Sequence, residues 1–385
     1  MPLWGTAVEP PATVADLAAT AAKYAEQAEA QRRLPPDVVT GLRTAGFARH
    51  FVPAAFGGSQ SGYEELLDIV APVAAGCPST GWSASIAAHT GRMVVHLPEQ
   101  GQREVWGEHP DALIAGALVP CGTATPVAGG WRVTGRWAYV SGADYSDWAL
   151  ICAPGGAGTE TRPWCFVVPR EHYEVADTWF SVGMRATGSN TVVVRDLFVP
   201  EHRSFTRAAL EAGLPADDER VSCRAPLKAV NGLSFAGPLL GAAQGLVEHW
   251  VDWIGHKVDT HTGAPARDRA SVRTVLARSS AEVEAAALLV RSIARTADSG
   301  RELRPFVTRH MRDWSFATEL LRDAAERIFV ASGTAGQDEG DRAQRFWRDI
   351  HSGASHFALQ LEQASGPFAE SVFSTSDQHV PTRAT

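Results

Sequence analysis

The chain has no cluster of basic residues and no long apolar segment, and both absences limit its partners. Across 385 residues, 35 Lys and Arg stand against 43 Asp and Glu, which gives a formal net charge of -8. On average this charge repels a phosphate backbone or an anionic membrane, so we expect no nucleic-acid partner. Residues 235–247, an apolar stretch interrupted by glycine, are too short to cross a bilayer, and the N-terminus lacks the features of a signal peptide. We therefore expect a cytoplasmic protein that does not associate with membranes.

Cysteine and histidine spacing indicates neither a disulfide framework nor a metal site. The five cysteines are odd in number, widely spaced and free of any CxxC pair, which is typical of small buried side chains. His256 and His261, like His351 and His356, are five residues apart, and this spacing does not place two imidazoles on one helical face. We predict that the chain binds no metal.

Phosphate-binding loops are also missing. There is no GxGxxG and no GK[ST] sequence, so a nicotinamide or nucleoside triphosphate site is not indicated. The glycine cluster Gly155–Gly158 lies between two β-rich segments and is predicted to be a hairpin loop.

Apolar residues change their period twice along the chain. Helical spacing runs through the first third, for example at Val14, Leu17 and Ala21; short β-rich segments follow between residues 112 and 199; helical spacing returns after Pro226. This order favours an α+β fold over a doubly wound one. We predict an N-terminal helical domain (1–111), a middle β domain built as a barrel or sandwich (112–224) and a C-terminal four-helix bundle (225–385).

The segment around Ser141 carries the first functional signal. Apolar residues alternate at Trp131, Val133, Trp137 and Tyr139, which predicts a half-buried strand ending at Ser141. A small hydroxyl residue followed by glycine lets the backbone and Oγ approach a ligand closely. Taken alone, the pattern is more typical of an ordinary hairpin end with serine and glycine as turn residues.

Five segments, in one order, carry a resemblance to a known superfamily. They are Pro53–Gly58, Tyr139–Gly142, Gly183–Ser189, Asp196–Pro200 and Arg345–Ile350. Tyr139–Gly142 resembles the segment with which acyl-CoA dehydrogenases meet flavin N5, and the likeness extends over nearly the whole chain. Within that superfamily, the chain is most similar to the two-component flavin-dependent monooxygenases that hydroxylate aromatic polyketides, of the actinorhodin hydroxylase kind. The resemblance implies the acyl-CoA dehydrogenase fold.

The resemblance also implies a role for each motif residue. Ser141 and His356 would be catalytic, with the Ser141 hydroxyl at flavin N5. The substrate contacts would be Trp82, His89 and Phe357, although a lone histidine at position 89 is also typical of a hydrogen-bonded core residue. The implied flavin contacts are Tyr139, Val140, Ser141, Thr187, Ser189, Trp347 and Arg348.

His356 decides between two reaction classes. It follows Trp347 by nine residues, the spacing of the monooxygenases, whereas acyl-CoA dehydrogenases carry a carboxylate base in that neighbourhood. The nearest acid, Glu362, is more than a helical turn further on. Ser352–Ser355 forms a small-residue window through which a planar ring could approach, beside an apolar stripe formed by Phe346, Ile350, Phe357 and Leu361.

The resemblance therefore implies the oxygenase component of a two-component system. Reduced FMN, or alternatively FADH2, would come from a separate NAD(P)H-dependent flavin reductase and react with O2 through a C4a-hydroperoxyflavin. The substrate would be a phenolic or naphthoquinone-type aromatic. An acyl-CoA dehydrogenase-type FAD enzyme, an N-oxygenase of an amino sugar and a non-catalytic scaffold are the alternatives. Gly237, Gly241, Ala242 and Gly245 are small enough to let another helix approach closely, and relatives of this fold associate as tetramers through such bundles. We therefore predict a homotetramer.

Overall fold

The computed structural model describes residues 3–4, 9–157, 160–259 and 262–377. Its first part is helical. Proline occupies the first turn of the second and fourth helices, where its fixed φ suits the start of a helix. The fourth helix is buried along almost its whole length, because it packs between the third helix, the helix Leu233–His256 and the strand Ile114–Ala117. The five helices are α1 Ala12–Gln31, α2 Pro36–Thr44, α3 Tyr63–Gly76, α4 Pro78–Val94 and α5 Glu99–Trp106.

The middle of the chain forms one eight-stranded sheet. The strands are β1 Ile114–Ala117, β2 Thr123–Val127, β3 Gly130–Val140, β4 Trp148–Ala157, β5 Glu160–Pro169, β6 Glu174–Ala176, β7 Asn190–Pro200 and β8 Ser204–Thr206. Their order is β6-β7-β3-β2-β4-β5-β8, and β1 pairs with β4 in parallel, as β2 does further along. Leu150 packs towards Val94 and Trp106, while its neighbour Ile151 packs towards Trp137. β4 is therefore covered on both faces, which explains its unbroken apolar sequence.

Gly155 and Gly156 of the glycine cluster lie inside β4 rather than in a loop. Gly155 pairs with Arg162 and Gly156 with Thr161, so the two strands continue up to Ala157 and Glu160. The predicted hairpin exists, but its turn is shorter than the glycine pattern indicated; Gly158 itself lies outside the described residues.

The remainder of the chain is again helical. Short helices α6 Arg207–Ala212, α7 Val221–Arg224 and α8 Leu227–Val230 lead to a bundle of α9 Leu233–His256, α10 Ala270–Asp298, α11 Val307–Ser332 and α12 Arg342–Ala354, followed by α13 Leu361–Asp377. The helical spacing predicted after Pro226 is visible on α11, where five positions in a 3-4-3-4 spacing are all buried: Trp314, Ala317, Leu321, Ala324 and Ile328. The α+β fold class predicted from the change of period is confirmed.

The small-residue stripe of α9 packs inside the chain. A β-carbon at Gly241 would lie 2.4 Å from the carbonyl oxygen of Ala71, and one at Gly245 would lie 2.6 Å from that of Ala75. These glycines let α9 approach α3 of the same chain. They therefore give no support to the predicted contact between subunits.

None of the helices in the described part of the chain is long and apolar enough to cross a membrane. His261, which entered the metal argument, lies outside the described residues.

Candidate active site

A β-bulge directs Ser141 away from the sheet. The pairing of β3 with β7 shifts register between Trp137 and Val140, and Tyr139 in between has a φ of 62°. Val140 is buried, whereas the Tyr139 side chain is 77% exposed. A left-handed tyrosine is strained, and such residues and bulges are concentrated at functional sites. The strand thus ends with Ser141 at the edge of the core rather than continuing its alternation.

Four side chains form a continuous hydrogen-bonded chain through Ser141. The Trp82 indole N–H donates to Ser141 Oγ at 3.2 Å, Ser141 Oγ lies 2.8 Å from Ser189 Oγ, and Ser189 Oγ lies 2.7 Å from Thr187 Oγ1. Thr187 Oγ1 then donates to the carbonyl of Met184 at 2.8 Å. Residues from α4, from the end of β3 and from the loop before β7 therefore converge on one point.

The two ends of this chain fix the direction of every proton. An indole nitrogen only donates and a carbonyl only accepts. Thr187 gives its proton to Met184 O, so it accepts from Ser189, and Ser189 in turn accepts from Ser141. Ser141 accordingly has no free proton and one lone pair left over after accepting from Trp82. The arrangement makes Ser141 a hydrogen-bond acceptor toward any ligand.

Helix α12 holds the loop that carries Thr187 and Ser189. The backbone N–H of Met184 donates to Asp349 Oδ1 at 2.5 Å, and burial raises the pKa of Asp349 to about 7. Arg348 donates to the carbonyl of Val182 at 2.6 Å and pairs with Glu29. Arg348 thus fixes the loop rather than reaching the hydroxyl chain itself.

His356 lies next to this chain, against aromatic rings. Its imidazole stacks on Phe235 with ring centroids 3.8 Å apart, and the Trp82 ring is 6.0 Å away. Burial lowers the pKa of His356 to about 4, with no charged neighbour contributing. Nδ1 accepts the backbone N–H of Ala358 at 3.2 Å, so the neutral ring carries its proton on Nε2. His356 therefore offers one N–H donor at neutral pH.

The small-residue window predicted on α12 exists, and Trp82 fills it. A β-carbon at Gly353 would lie 3.2 Å from the Trp82 ring and 2.7 Å from Leu239. Glycine at this position lets the indole that bonds Ser141 pack against the helix leading to His356.

Comparisons with known proteins match this architecture. Residues 11–108 match the model of the acyl-CoA dehydrogenase N-terminal domain, and residues 233–361 match that of the C-terminal domain. The oxygenase subunit HsaA of a flavin-dependent monooxygenase from Rhodococcus jostii is 33% identical, with 90% of this chain and 93% of HsaA covered. This chain belongs to the flavin-dependent monooxygenase oxygenase subunits.

Two further relatives of this oxygenase agree with that assignment. The oxygenase component of an FADH2-dependent resorcinol hydroxylase from Rhizobium is 30% identical, with 94% of this chain and 92% of the relative covered. XiaF from Streptomyces, solved with FADH2 and glycerol, superposes with a TM-score of 0.86 at 28% identity, with 96% of each chain covered. The acyl-CoA dehydrogenase fold implied by the sequence is confirmed.

Several predicted site residues of the oxygenase lie outside the hydroxyl chain. Phe357 is 71% exposed because α12 ends at Ala354 and breaks the apolar stripe, which does not support a role in a buried pocket. Trp347 lies on the α11 side of α12, where it stacks on Phe329 at 4.7 Å and donates to Glu326 at 2.6 Å. Its predicted flavin contact gains no support from this position.

His89 lies in an aromatic cluster with Phe51 and Tyr63. It is buried near Phe51 and Tyr63, with ring centroids 5.6 and 5.9 Å away, and its Nδ1 has no hydrogen-bond partner. A ligand contact for His89 would thus lie deeper along α4 than Trp82.

Sequence reasoning missed two residues that shape the oxygenase site. Phe235 stacks on the His356 ring, but in the sequence it is indistinguishable from the other apolar residues of a core helix. Asp349 sits inside the arginine-rich motif, where an acid is usually a solvated side chain. Asp349 lies one helical turn after Arg345 and directly before Ile350, and both of these residues are buried. An apolar neighbour on this helix is the signal that could have identified Asp349 as a buried acid. Among the described residues, no cluster of His, Cys, Asp and Glu is arranged to hold a metal ion.

Proposed function

We propose that this oxygenase hydroxylates a phenolic or naphthoquinone-type aromatic of polyketide origin, with reduced flavin delivered by a separate NAD(P)H-dependent reductase. The observation that carries the proposal is the pairing of Ser141, fixed as an acceptor, with a neutral His356 stacked on Phe235. Bound reduced flavin supplies the activation of O2 for transfer of one oxygen atom to the substrate.

The hydrogen-bonding arrangement at Ser141 fits a reduced flavin. Reduced flavin carries a hydrogen on N5, and Ser141 has a lone pair to accept it, whereas oxidised flavin requires a donor at N5 that the ordered chain does not provide. Tyr139 and Val140 directly precede Ser141, and Ser189 accepts its proton and donates in turn to Thr187. In this role Ser141 orients the cofactor and distinguishes its two redox states.

His356 is suited to a task that leaves its ring neutral. Its Nε2–H can donate a hydrogen bond to an oxygen atom in transfer, and Phe235 and Trp82 can exclude water around it. The same geometry does not favour acyl-CoA dehydrogenation, which needs a carboxylate base beside the substrate. Glu362, the nearest acid after His356, is exposed at the start of α13.

One assay tests the proposal. The purified protein is incubated with NADH, a flavin reductase, and FMN or FAD in parallel, since the resemblance indicates FMN while FADH2 is named for two relatives. Resorcinol and 4-hydroxyphenylacetate represent single-ring phenols, and 1,5-dihydroxynaphthalene represents a fused two-ring phenol. Hydroxylated product that depends on reduced flavin and O2 is expected. Flavin-dependent oxidation of an acyl-CoA, with no phenol hydroxylated, would contradict it.

We also propose that the oxygenase is a homotetramer assembled through its helical bundle. The bundle exposes large apolar side chains in a single chain: Leu288 is 72%, Val330 66% and Phe316 46% exposed. Phe316 and Val330 are about four turns apart on α11 and so lie on the same side of it. These residues replace the α9 glycines as the support for a subunit contact.

A further inference from the structure

Two free cysteines face each other on neighbouring strands of the sheet. Cys152 of β4 is paired directly with Cys165 of β5, and both residues are completely buried. Residues directly opposite each other in an antiparallel pair project from the same face, and both cysteines belong to the apolar cluster that contains Leu150 and Val167. The two thiols therefore lie next to each other inside the protein.

The pair occupies a position in the strand ladder where a disulfide can form. The Cys152 carbonyl accepts from the Cys121 N–H at 3.0 Å and from the Trp137 indole at 2.7 Å, so it points away from β5. Further along the same pair of strands, Pro154 faces Pro163, and proline has no N–H to donate. Both observations indicate a pair without mutual hydrogen bonds, in which the α-carbons are about 4.5 Å apart. Disulfides span about 4.4–6.8 Å between α-carbons, so the two cysteines can be bridged with little movement of the backbone.

A nearby cation makes the two thiols unequal. Arg207, at the start of α6, pairs with Glu211 at 3.0 Å and donates to the Leu118 carbonyl at 2.6 Å. A hydrogen bond from the Cys165 thiol lowers the pKa of the Cys152 thiol, and the charge of Arg207 lowers it further, against the opposite effect of burial. The same hydrogen bond, together with burial, raises the pKa of Cys165 well above its ordinary value. Cys152 is thus the nucleophile of the pair, since the thiolate is the reactive form of cysteine.

The other three cysteines lack this combination. Burial raises the pKa of the Cys223 thiol to about 11 and also raises that of Cys77. Cys121 is partly exposed, and its side chain packs against the cluster on the opposite face of the sheet. All five cysteines lie in the described part of the chain, and only Cys152 and Cys165 are opposite each other in a strand pair.

We propose that Cys152 and Cys165 form a peroxide-reactive site that is converted into an internal disulfide. The oxidant is hydrogen peroxide, which reduced flavin and O2 yield whenever an oxygenase of this class turns over without hydroxylating a substrate. The inference does not depend on which aromatic the enzyme hydroxylates.

The reaction has two steps. The Cys152 thiolate attacks one peroxide oxygen, the O–O bond breaks, and hydroxide leaves while Cys152 becomes a sulfenic acid. The Cys165 sulfur then attacks the Cys152 sulfur, the S–O bond breaks, and the second hydroxide takes the Cys165 proton and leaves as water. Two thiols lose two electrons in total, and one H2O2 becomes two molecules of water.

Burial makes the site selective for a small oxidant. Both thiols are inaccessible to solvent, so a reagent of the size of iodoacetamide should not label them in the folded protein. H2O2 is close to water in size, and the Arg207 side chain, which is 25% exposed, extends from the surface toward Cys152. A bridge at the short end of the disulfide range should be reduced readily by dithiothreitol, which makes the oxidation reversible.

Thiol counting after exposure to peroxide tests the site. The folded protein is treated with H2O2, quenched with catalase and unfolded in guanidinium, and the remaining thiols are alkylated with N-ethylmaleimide. The number of free thiols should fall from five by two, with one H2O2 consumed per chain. Peptide mapping should find Cys152 bridged to Cys165, and dithiothreitol should restore all five thiols.

Two variants test the separate roles of the residues. Cys165→Ala should stop the reaction at the Cys152 sulfenic acid, which dimedone traps. Arg207→Met should slow the oxidation roughly tenfold, because a neighbouring positive charge favours the ionised thiol, and Arg207→Lys should restore most of the rate. Arg220→Met is the matched control, because Arg220 is also a half-buried arginine paired with a carboxylate, but it acts on Cys223.

Turnover without an aromatic substrate should supply the oxidant. With NADH, a flavin reductase and flavin, the same disulfide should accumulate, and catalase should prevent it. Five free thiols after peroxide treatment, or oxidation confined to Cys121, would overturn the site. A bridge that forms only in guanidinium would do the same, and an Arg207→Met variant that oxidises at the wild-type rate would remove the guanidinium from the reaction.

Discussion

The hydroxyl of Ser141 lies 2.8 Å from that of Ser189, and this contact joins the end of β3 to the loop before β7. The two residues are far apart in sequence, and neither has another residue's carboxylate or cation to orient it. Their proton order comes from Trp82 at one end and the Met184 carbonyl at the other. Ser141 is consequently a hydrogen-bond acceptor, and the groups that fix the direction of its proton need not contact the ligand.

Replacing Ser189 with alanine should change the preference for the redox state of the flavin. The Ser141 proton would lose its acceptor and become free to donate to N5 of oxidised flavin. One net hydrogen bond is worth about 1 kcal/mol, so the affinity ratio of reduced to oxidised flavin should fall roughly fivefold. Fluorescence titration with oxidised flavin and anaerobic titration with reduced flavin measure this ratio.

The control for that experiment is a hydroxyl pair in the same part of the sheet. Thr178 Oγ1 lies 2.8 Å from Thr191 Oγ1, outside the chain that ends at Ser141. Thr178→Val should leave the affinity ratio as it is in the wild type. An unchanged ratio in Ser189→Ala would show that Ser189 does not orient Ser141.

Ser141→Ala should uncouple oxygen consumption from hydroxylation. Loss of a hydrogen bond in a dry site costs about 1–3 kcal/mol, which corresponds to a roughly 5–150-fold faster loss of activated oxygen as hydrogen peroxide. Peroxide released per NADH consumed reports the effect. A variant that retains wild-type product per NADH would remove Ser141 from the reaction.

His356→Ala should retain flavin binding while product falls about 10²–10⁴-fold, the usual contribution of a proton-transfer group. Because burial lowers the pKa of His356 to about 4, the ring stays neutral above pH 5, and coupling should show no inflection near 6.5 from this residue. Product per NADH, measured from pH 5.5 to 8.5, checks both statements.

His310 provides the comparison for a purely structural histidine. It is buried in the bundle and its Nδ1 contacts the Ala229 carbonyl at 2.9 Å. His310→Phe should lower the Tm without changing product per NADH. If His356→Ala behaves in the same way, with stability and flavin affinity falling together, His356 is a packing residue.

The fold was predictable because the apolar period changes at the points where the architecture changes. The five core positions of α11 lie on one face for any sequence that packs a bundle, and periodicity reveals them. Partners across the core are a different matter. Gly241 and Gly245 indicate that another backbone lies close to α9. Only the folded chain shows that this backbone is that of Ala71 and Ala75 in α3.

The candidate site was predictable only in part, for the same reason. Ser141 stood out because it ends a strand, yet its bond to Trp82 spans two separate elements and has no local signal. Phe357 is exposed because the helical period of α12 ends at Ala354, and this end has no clear signal in the sequence.

If subunits associate through the bundle, the mass of the protein in solution should depend on the exposed residues Leu288 and Val330. Wild-type protein should give a tetramer mass by light scattering, and Leu288→Glu with Val330→Glu should reduce it, because charges at a buried contact must be desolvated. Val119→Glu, at a position 72% exposed outside the bundle, should retain the tetramer. A monomer mass for the wild type at micromolar concentrations would refute the assembly.

Asp349→Asn should stabilise the protein in a pH-dependent way. Burial raises the folded-state pKa of Asp349 from 3.8 to about 7, so the folded protein binds more protons than the unfolded chain between these values. The wild type therefore loses stability as pH rises through this window, and the asparagine variant does not. The difference in Tm between variant and wild type should grow from pH 4 to pH 7 and then level off.

Asp349→Ala leaves the Met184 N–H without its acceptor and should lower the Tm at every pH. A Tm difference for Asp349→Asn that is constant across this range would mean that the carboxyl is ionised in the folded protein, held by Arg345 and Arg348.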